Sequence, residues 1–142
     1  MSGFLLDTNV PSESWRPQPT ANVAAWLKSQ VKTLQFISVV TVGELRKGAI
    51  LLPPSAKRAQ IVYSIEALIS AWFGKRVLPV TQAIAERWGV LDAQRQLIGC
   101  PLGVADGMIA ATALEHGLTV VTRNVKDFEG LGVPIVNPWE AV

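Results

Sequence analysis

The stretch VADGMIAATALEHGLTVVT, residues 104–122, joins a helix, a stop and a strand in one run. Its alanines and periodic apolar positions predict a helix over 103–115. His116-Gly117 supplies the stop, and the β-branched run beyond it predicts a strand over 118–122. Outward from this unit the alternation repeats. Phe4-Leu5-Leu6 reads as a short buried strand closed by Asp7, Thr8 and Asn9, and Pro11, Pro17 and Pro19 keep the following segment irregular. Thr20 caps a helix bearing Val23, Trp26, Leu27 and Val31, residues 35–38 form a second strand, and Thr41 opens a helix to about residue 51 that stops at Pro53-Pro54. Residues 77–80 predict a third strand, 83–97 a helix with Ile84, Trp88 and Leu91 along one side, and 134–136 a last strand. Strands alternating with helices place the chain in the α/β class, with a mainly parallel central sheet flanked by helices on both faces. Residues 1–142 are expected to form one domain.

The helix that starts at Ser55 carries Ile61, Val62, Ile65, Leu68, Ile69, Trp72 and Phe73, widened by Tyr63 and Ala67. That arc has two readings: burial in the chain's own core, or a face for a partner.

Composition narrows the chemistry. The chain is 49% hydrophobic and 17% charged, as expected of a compact globule. One cysteine, Cys100, excludes an internal disulfide, and with one histidine, His116, there is no soft-ligand set for zinc. Any metal here is held by oxygen. No stretch predicts a membrane span, so a cytoplasmic location is the expectation. A net charge of +2 leaves a nucleic-acid partner open without requiring one.

The acids stand where a parallel α/β sheet gathers its chemistry, beyond the carboxyl ends of the strands. Asp7 follows the first strand, Glu44 sits in the first turn of the helix after the second, and Asp127 lies just past the strand over 118–122. Asp106 arrives in the first turn of the helix that feeds that strand, on the face of Ile109, Ala110 and Ala113. Each has an ordinary alternative: Asp7 as a turn residue, Glu44 as the return arm of a capping box with Thr41, Asp106 and Asp127 as complements to helix dipoles. Together, in apolar surroundings, they favour a hard divalent cation, Mg²⁺ or Mn²⁺, because clustered carboxylates repel one another unless a cation compensates them.

Four segments carry a family resemblance: Phe4-Leu5-Leu6-Asp7-Thr8-Asn9-Val10, Thr41-Val42-Gly43-Glu44-Leu45-Arg46-Lys47-Gly48, Ala105-Asp106-Gly107-Met108-Ile109-Ala110-Ala111-Thr112-Ala113, and Thr119-Val120-Val121-Thr122-Arg123-Asn124-Val125-Lys126-Asp127-Phe128. In this order the chain resembles PIN-domain ribonucleases, specifically the VapC-like and FitB-like toxins of bacterial toxin–antitoxin pairs. Arg16-Pro17-Gln18-Pro19 and Asn137-Pro138-Trp139 resemble the FitB-like branch. In the fourth segment some relatives carry an acid where this chain has Asn124, and Asp127 follows three residues on.

The resemblance implies a metal-dependent endoribonuclease, a cognate antitoxin that silences it, and a homodimer or dimer-based hetero-oligomer. The expected site is Asp7, Glu44, Asp106 and Asp127, with Asp7 and Asp106 on Mg²⁺ (Mn²⁺ as a substitute) and Glu44 completing the shell or positioning water. Thr8 and Asn9 are candidates to orient Asp7, and Arg46, Lys47, Arg123 and Lys126 to meet phosphates. Trp15 is a candidate to stack on a base. Two competing readings keep the fold: an inactive RNA-binding or regulatory module, and a nuclease acting on DNA.

Overall fold

A computed structural model describes residues 3–140 of the chain. Five strands, β1 (Phe4–Leu6), β2 (Gln35–Ser38), β3 (Val77–Leu78), β4 (Thr119–Val121) and β5 (Ile135–Val136), form one sheet in the order β3-β2-β1-β4-β5. Every pairing is parallel. From β1 the chain first builds outward through β2 to β3, then returns to add β4 and β5 on the other side. The order therefore reverses between β1 and β4, where Leu6 pairs with Val121.

Successive residues of these strands face opposite layers. Leu5 and Val120 enter a core with Ile109, Ala110, Ala113 and Phe128. Leu6, Ile37 and Val121 enter a second core with Val10, Val23, Leu45, Ile65 and Phe73. Helices α5 (Gln82–Leu97) and α6 (Val104–His116) cover the first face. The second is covered by α1 (Asn9–Glu13), α2 (Ala21–Ser29), α3 (Val39–Ile50) and α4 (Ala56–Ala67). The expected α/β sheet with helices on both faces is what forms. No helix among the described residues is long and apolar enough to cross a membrane.

Three local expectations are corrected. The segment after β1 is a short helix, α1, with Pro11 in its first turn, where a missing N–H costs no intrahelical bond. Helix α3 starts at Val39, because the Ser38 hydroxyl accepts from the Val40 N–H at 3.0 Å and so supplies the cap ahead of Thr41. Thr41 is fully buried inside the helix, and Glu44 lies beyond the first turn. Val31 falls after α2 and is 54% exposed.

The wide arc of the fourth helix divides between its two readings. Ile65, Leu68 and Phe73 are buried in the second core, which settles that part as the protein's own interior. The backbone over Leu68–Phe73 widens into a π-helical turn, and the Arg76 guanidinium closes it by donating to the carbonyls of Trp72 and Gln35. Tyr63 stays 75% exposed.

Candidate active site

The reversal of strand order opens a crevice at the carboxyl ends of β1 and β4, where doubly wound sheets hold their ligands. The first residue past β1 is Asp7, whose N–H still donates to the Val121 carbonyl at 2.9 Å. Its carboxylate is 4% exposed and fully engaged. Oδ1 accepts from the Thr8 N–H at 2.8 Å, and Oδ2 accepts from the Thr122 hydroxyl at 2.7 Å and the Asn9 amide at 3.3 Å. Thr122 is the first residue past β4, so the strand register itself sets Asp7 beside its donor.

Thr122 and Asn9 then bind the next loop. The Asn124 N–H donates to the Thr122 hydroxyl at 3.0 Å, and the Asn9 side-chain oxygen accepts from the Arg123 N–H at 3.3 Å. That fold of the chain leads into a 3₁₀ turn over Val125–Asp127 and presents Asp127 at its end. Asn124 enters this loop through its backbone N–H.

Glu44 is set from a different direction. The Thr8 hydroxyl donates to Glu44 Oε1 at 2.5 Å, and Thr41 Oγ1 lies 3.5 Å from the same hydroxyl. Glu44 is thereby drawn toward the end of β1, and the Thr41 capping-box alternative falls with the earlier start of α3. Thr8 orients Asp7 through its backbone and Glu44 through its side chain. Asp106 sits in the first turn of α6, half-buried, above the fully buried Ile109, Ala110 and Ala113.

Electrostatics join the four acids. Burial, followed by the charges of Asp7, Asp127 and Glu44, pushes the Asp106 carboxyl up to about 6. Burial also raises Asp7, with Glu44 and Asp127 adding to it, against the Thr122 and Thr8 hydrogen bonds that favour its charged form. Among the described residues, no three acidic, histidine or cysteine side chains form a ready-made ligand cluster for one ion. The donor set is all oxygen and strongly anionic. It fits a hard ion such as Mg²⁺, which usually takes one or two carboxylates and keeps several waters.

The flanking cations are dispersed. Arg46 pairs with Glu66 at 3.7 Å, Arg123 lies over the Trp139 ring at 5.8 Å, and Lys47 and Lys126 are exposed. Trp15 is partly buried against the second core.

Two polar residues escaped the sequence reading. Thr122 looked like the end of a β-branched run, and only the pairing of β1 with β4 gives it a partner. Glu13 is 4% exposed and accepts from the Thr20 N–H at 2.9 Å and the Thr20 hydroxyl at 2.8 Å, with Arg16 at 3.4 Å. Thr20 thus begins α2 with its side chain turned back to Glu13. Burial raises the Glu13 carboxyl, but Thr20 and Arg16 outweigh that and hold it below the usual range.

The same arrangement of segments is found in known proteins. The sequence profile of the PIN domain matches residues 4–132. Toxin FitB of Neisseria gonorrhoeae is 40% identical over 136 residues, which cover 96% of this chain and 98% of that one. VapC ribonuclease Y4jK of Sinorhizobium fredii is 39% identical over 137 residues, 96% of this chain and 98% of that one. The crystal structure of FitAcB from Neisseria gonorrhoeae superposes with a TM-score of 0.90 at 39% identity, over 97% of this chain and 99% of that chain. With a profile match across nearly its whole length and relatives of this similarity, the chain belongs to the PIN-domain family.

Proposed function

We propose that this protein is a Mg²⁺-dependent endoribonuclease and the toxin of a toxin–antitoxin pair. The observation that carries the reading is the placement of Asp7 at the strand-order reversal, its carboxylate held by Thr122, Asn9 and the Thr8 N–H, with Glu44 drawn to the same end of β1 by the Thr8 hydroxyl. Carboxylates gathered at one crevice repel one another, a bound cation relieves that repulsion, and the raised carboxyls of Asp7 and Asp106 agree with this. The names of its relatives, a toxin and a ribonuclease, support the same activity.

In this reading Asp7 and Asp106 hold the ion. Bound Mg²⁺ supplies a more acidic water and neutralises charge on the phosphoryl oxygens. Thr122, Asn9 and the Thr8 N–H fix the orientation of the Asp7 carboxylate that would hold the ion. Glu44 has Oε1 committed to the Thr8 hydroxyl, which leaves Oε2 to position the attacking water and accept its proton. The water oxygen bonds to phosphorus, one P–O ester bond breaks, and the leaving alkoxide takes up a proton. Asp127, carried on the turn that Asn124 and Thr122 brace, holds a further water or a second ion.

Purified chain, freed of antitoxin, is to be incubated with matched single-stranded RNA and DNA in Mg²⁺, Mn²⁺ or EDTA. RNA cleavage that needs the ion and falls to background in Asp106→Asn, with circular dichroism unchanged, is the expected result. Wild-type rates in a folded Asp106→Asn protein overturn the site. DNA cut as fast as RNA overturns the substrate assignment. The antitoxin and a homodimeric or dimer-based assembly are part of the same proposal, tested by mass measurement of the chain alone and with the product of its neighbouring gene.

A further inference from the structure

Two grooves share one side chain, and the first of them includes Glu44 of the acid site. The first, about 460 Å³, is lined by Thr8 and Glu44, by Trp15, Arg16 and Lys57, and by an apolar floor that includes Leu45 and Ile61. The second, about 440 Å³, is lined by Trp15, Tyr63, Lys32 and Trp72 among others. Each is comparable to a small-ligand site, large enough for one nucleotide. Trp15 lines both, so its indole stands where the two meet. Tyr63 is 75% exposed, and the Lys32 ammonium is held 5.9 Å over the Trp72 ring.

We infer that this double groove is a track for single-stranded RNA leading out of the active centre, with Trp15 and Tyr63 as base platforms and Lys57 and Lys32 as phosphate contacts. The inference rests on the ribonuclease reading and names how that substrate is held. A strand cut beside Glu44 must leave the centre over some surface, and the first groove opens there. Aromatic rings interleaved with cations are the arrangement that binds single strands without reading sequence. The charge agrees: among the described residues lining the two grooves, Glu44 is the one carboxylate, against Arg16, Lys57 and Lys32. Arg16 is already paired with the Glu13 carboxylate at 3.4 Å, so Lys57 and Lys32 carry the positive charge that the grooves offer a strand.

Tyr63, Lys57 and Lys32 are exposed, so their substitution leaves the core intact. The test measures fluorescence anisotropy of labelled oligouridine in EDTA, and KM for cleavage of the same RNA in Mg²⁺. Tyr63→Ala is expected to raise the Kd at least about fivefold, the lower end of what one lost stack gives. Lys32→Gln and Lys57→Gln are each expected to reduce the slope of log K against log salt by roughly 0.7. KM rises in all three while kcat holds. Arg87→Ala, which breaks a surface pair with Glu115 on α5 and α6, is the control and changes neither constant. A wild type that cuts RNA while the three variants keep its Kd and KM overturns the track and leaves the nuclease standing. Weakened oligouridine binding in the variants of a chain that cuts no RNA keeps the track and overturns the nuclease. Variants that release the antitoxin yet bind RNA as before also overturn the track, and assign the groove to a peptide.

Discussion

At Asp106 the proton affinity is set by position: burial and the charges of Asp7, Asp127 and Glu44 lift the carboxyl from 3.8 to about 6. Between those values the folded chain still binds a proton that the unfolded chain has released, so stability falls as pH rises through that window and the loss is complete above it. In EDTA the melting temperature is therefore expected to drop between pH 4 and pH 7, and Asp106→Asn to flatten that drop and melt higher at neutral pH. A melt series at fixed ionic strength checks both. Glu13 runs the other way. Held below its usual range, it stabilises the fold above pH 4.5 and loses that effect as pH falls through its folded value. Glu13→Gln, which sets an amide against the Thr20 donors, is expected to cost about 1.5–3 kcal/mol at pH 7 in urea titrations. Thr122→Val removes the hydroxyl on Asp7 Oδ2 and is expected to weaken Mn²⁺ affinity about 10–100-fold by calorimetry, with the fold retained. The positions of Asp7, just past β1, and Asp106, in the first turn of α6, were readable from the strand and helix signals around them, whereas Glu44 lies deeper in α3 than its sequence suggested. Thr122 and Glu13 were not readable: a hydroxyl becomes an Asp7 donor only through a contact 115 residues away, and an acid in a proline-flanked segment looks like surface.

Elements were legible where composition and period agreed, and their ends were decided by neighbours. Strand β2 falls on residues 35–38 as read, around the apolar pair Phe36-Ile37, and α6 starts within one residue of its expected start on an Ala-rich face. Helix α3 began early because Ser38, the last residue of a strand, was also a better-placed cap than Thr41. The contact of α5 with α6 depends on a single missing Cβ. An atom added at Gly107 would lie 2.7 Å from the Trp88 ring, whereas one at Gly89 on α5 meets nothing within 4 Å. Gly107→Ala is accordingly expected to destabilise by about 1–3 kcal/mol through overpacking. Gly89→Ala is expected to stabilise by up to about 1 kcal/mol, since it replaces glycine inside a helix. Urea midpoints of the two variants, opposite in sign, check the pair. In the sequence both glycines look alike, and only packing separates them.

Across the whole molecule, two apolar layers sandwich an all-parallel sheet, and the alternation of helix and strand along the chain was enough to predict this. The order β3-β2-β1-β4-β5 was beyond the sequence reading, since short strands of similar composition carry no mark of their neighbours. The surface near the end of α5 and the start of α6 leaves Leu97 86%, Ile98 71% and Val104 62% exposed. Under the proposed homodimer, Leu97→Glu is expected to shift light-scattering mass toward the monomer without changing the circular dichroism. The pairing of β1 with β4 also has a meaning in time. Asp7 and Glu44 lie in the first third of the chain, while Thr122, Asp106 and Asp127 come late, and β1 cannot meet β4 until residues 119–121 exist. A ribosome making this protein thus carries no assembled centre until residues 119–121 have emerged, and under the proposed ribonuclease activity the nascent chain spares, up to that point, the RNAs that are producing it.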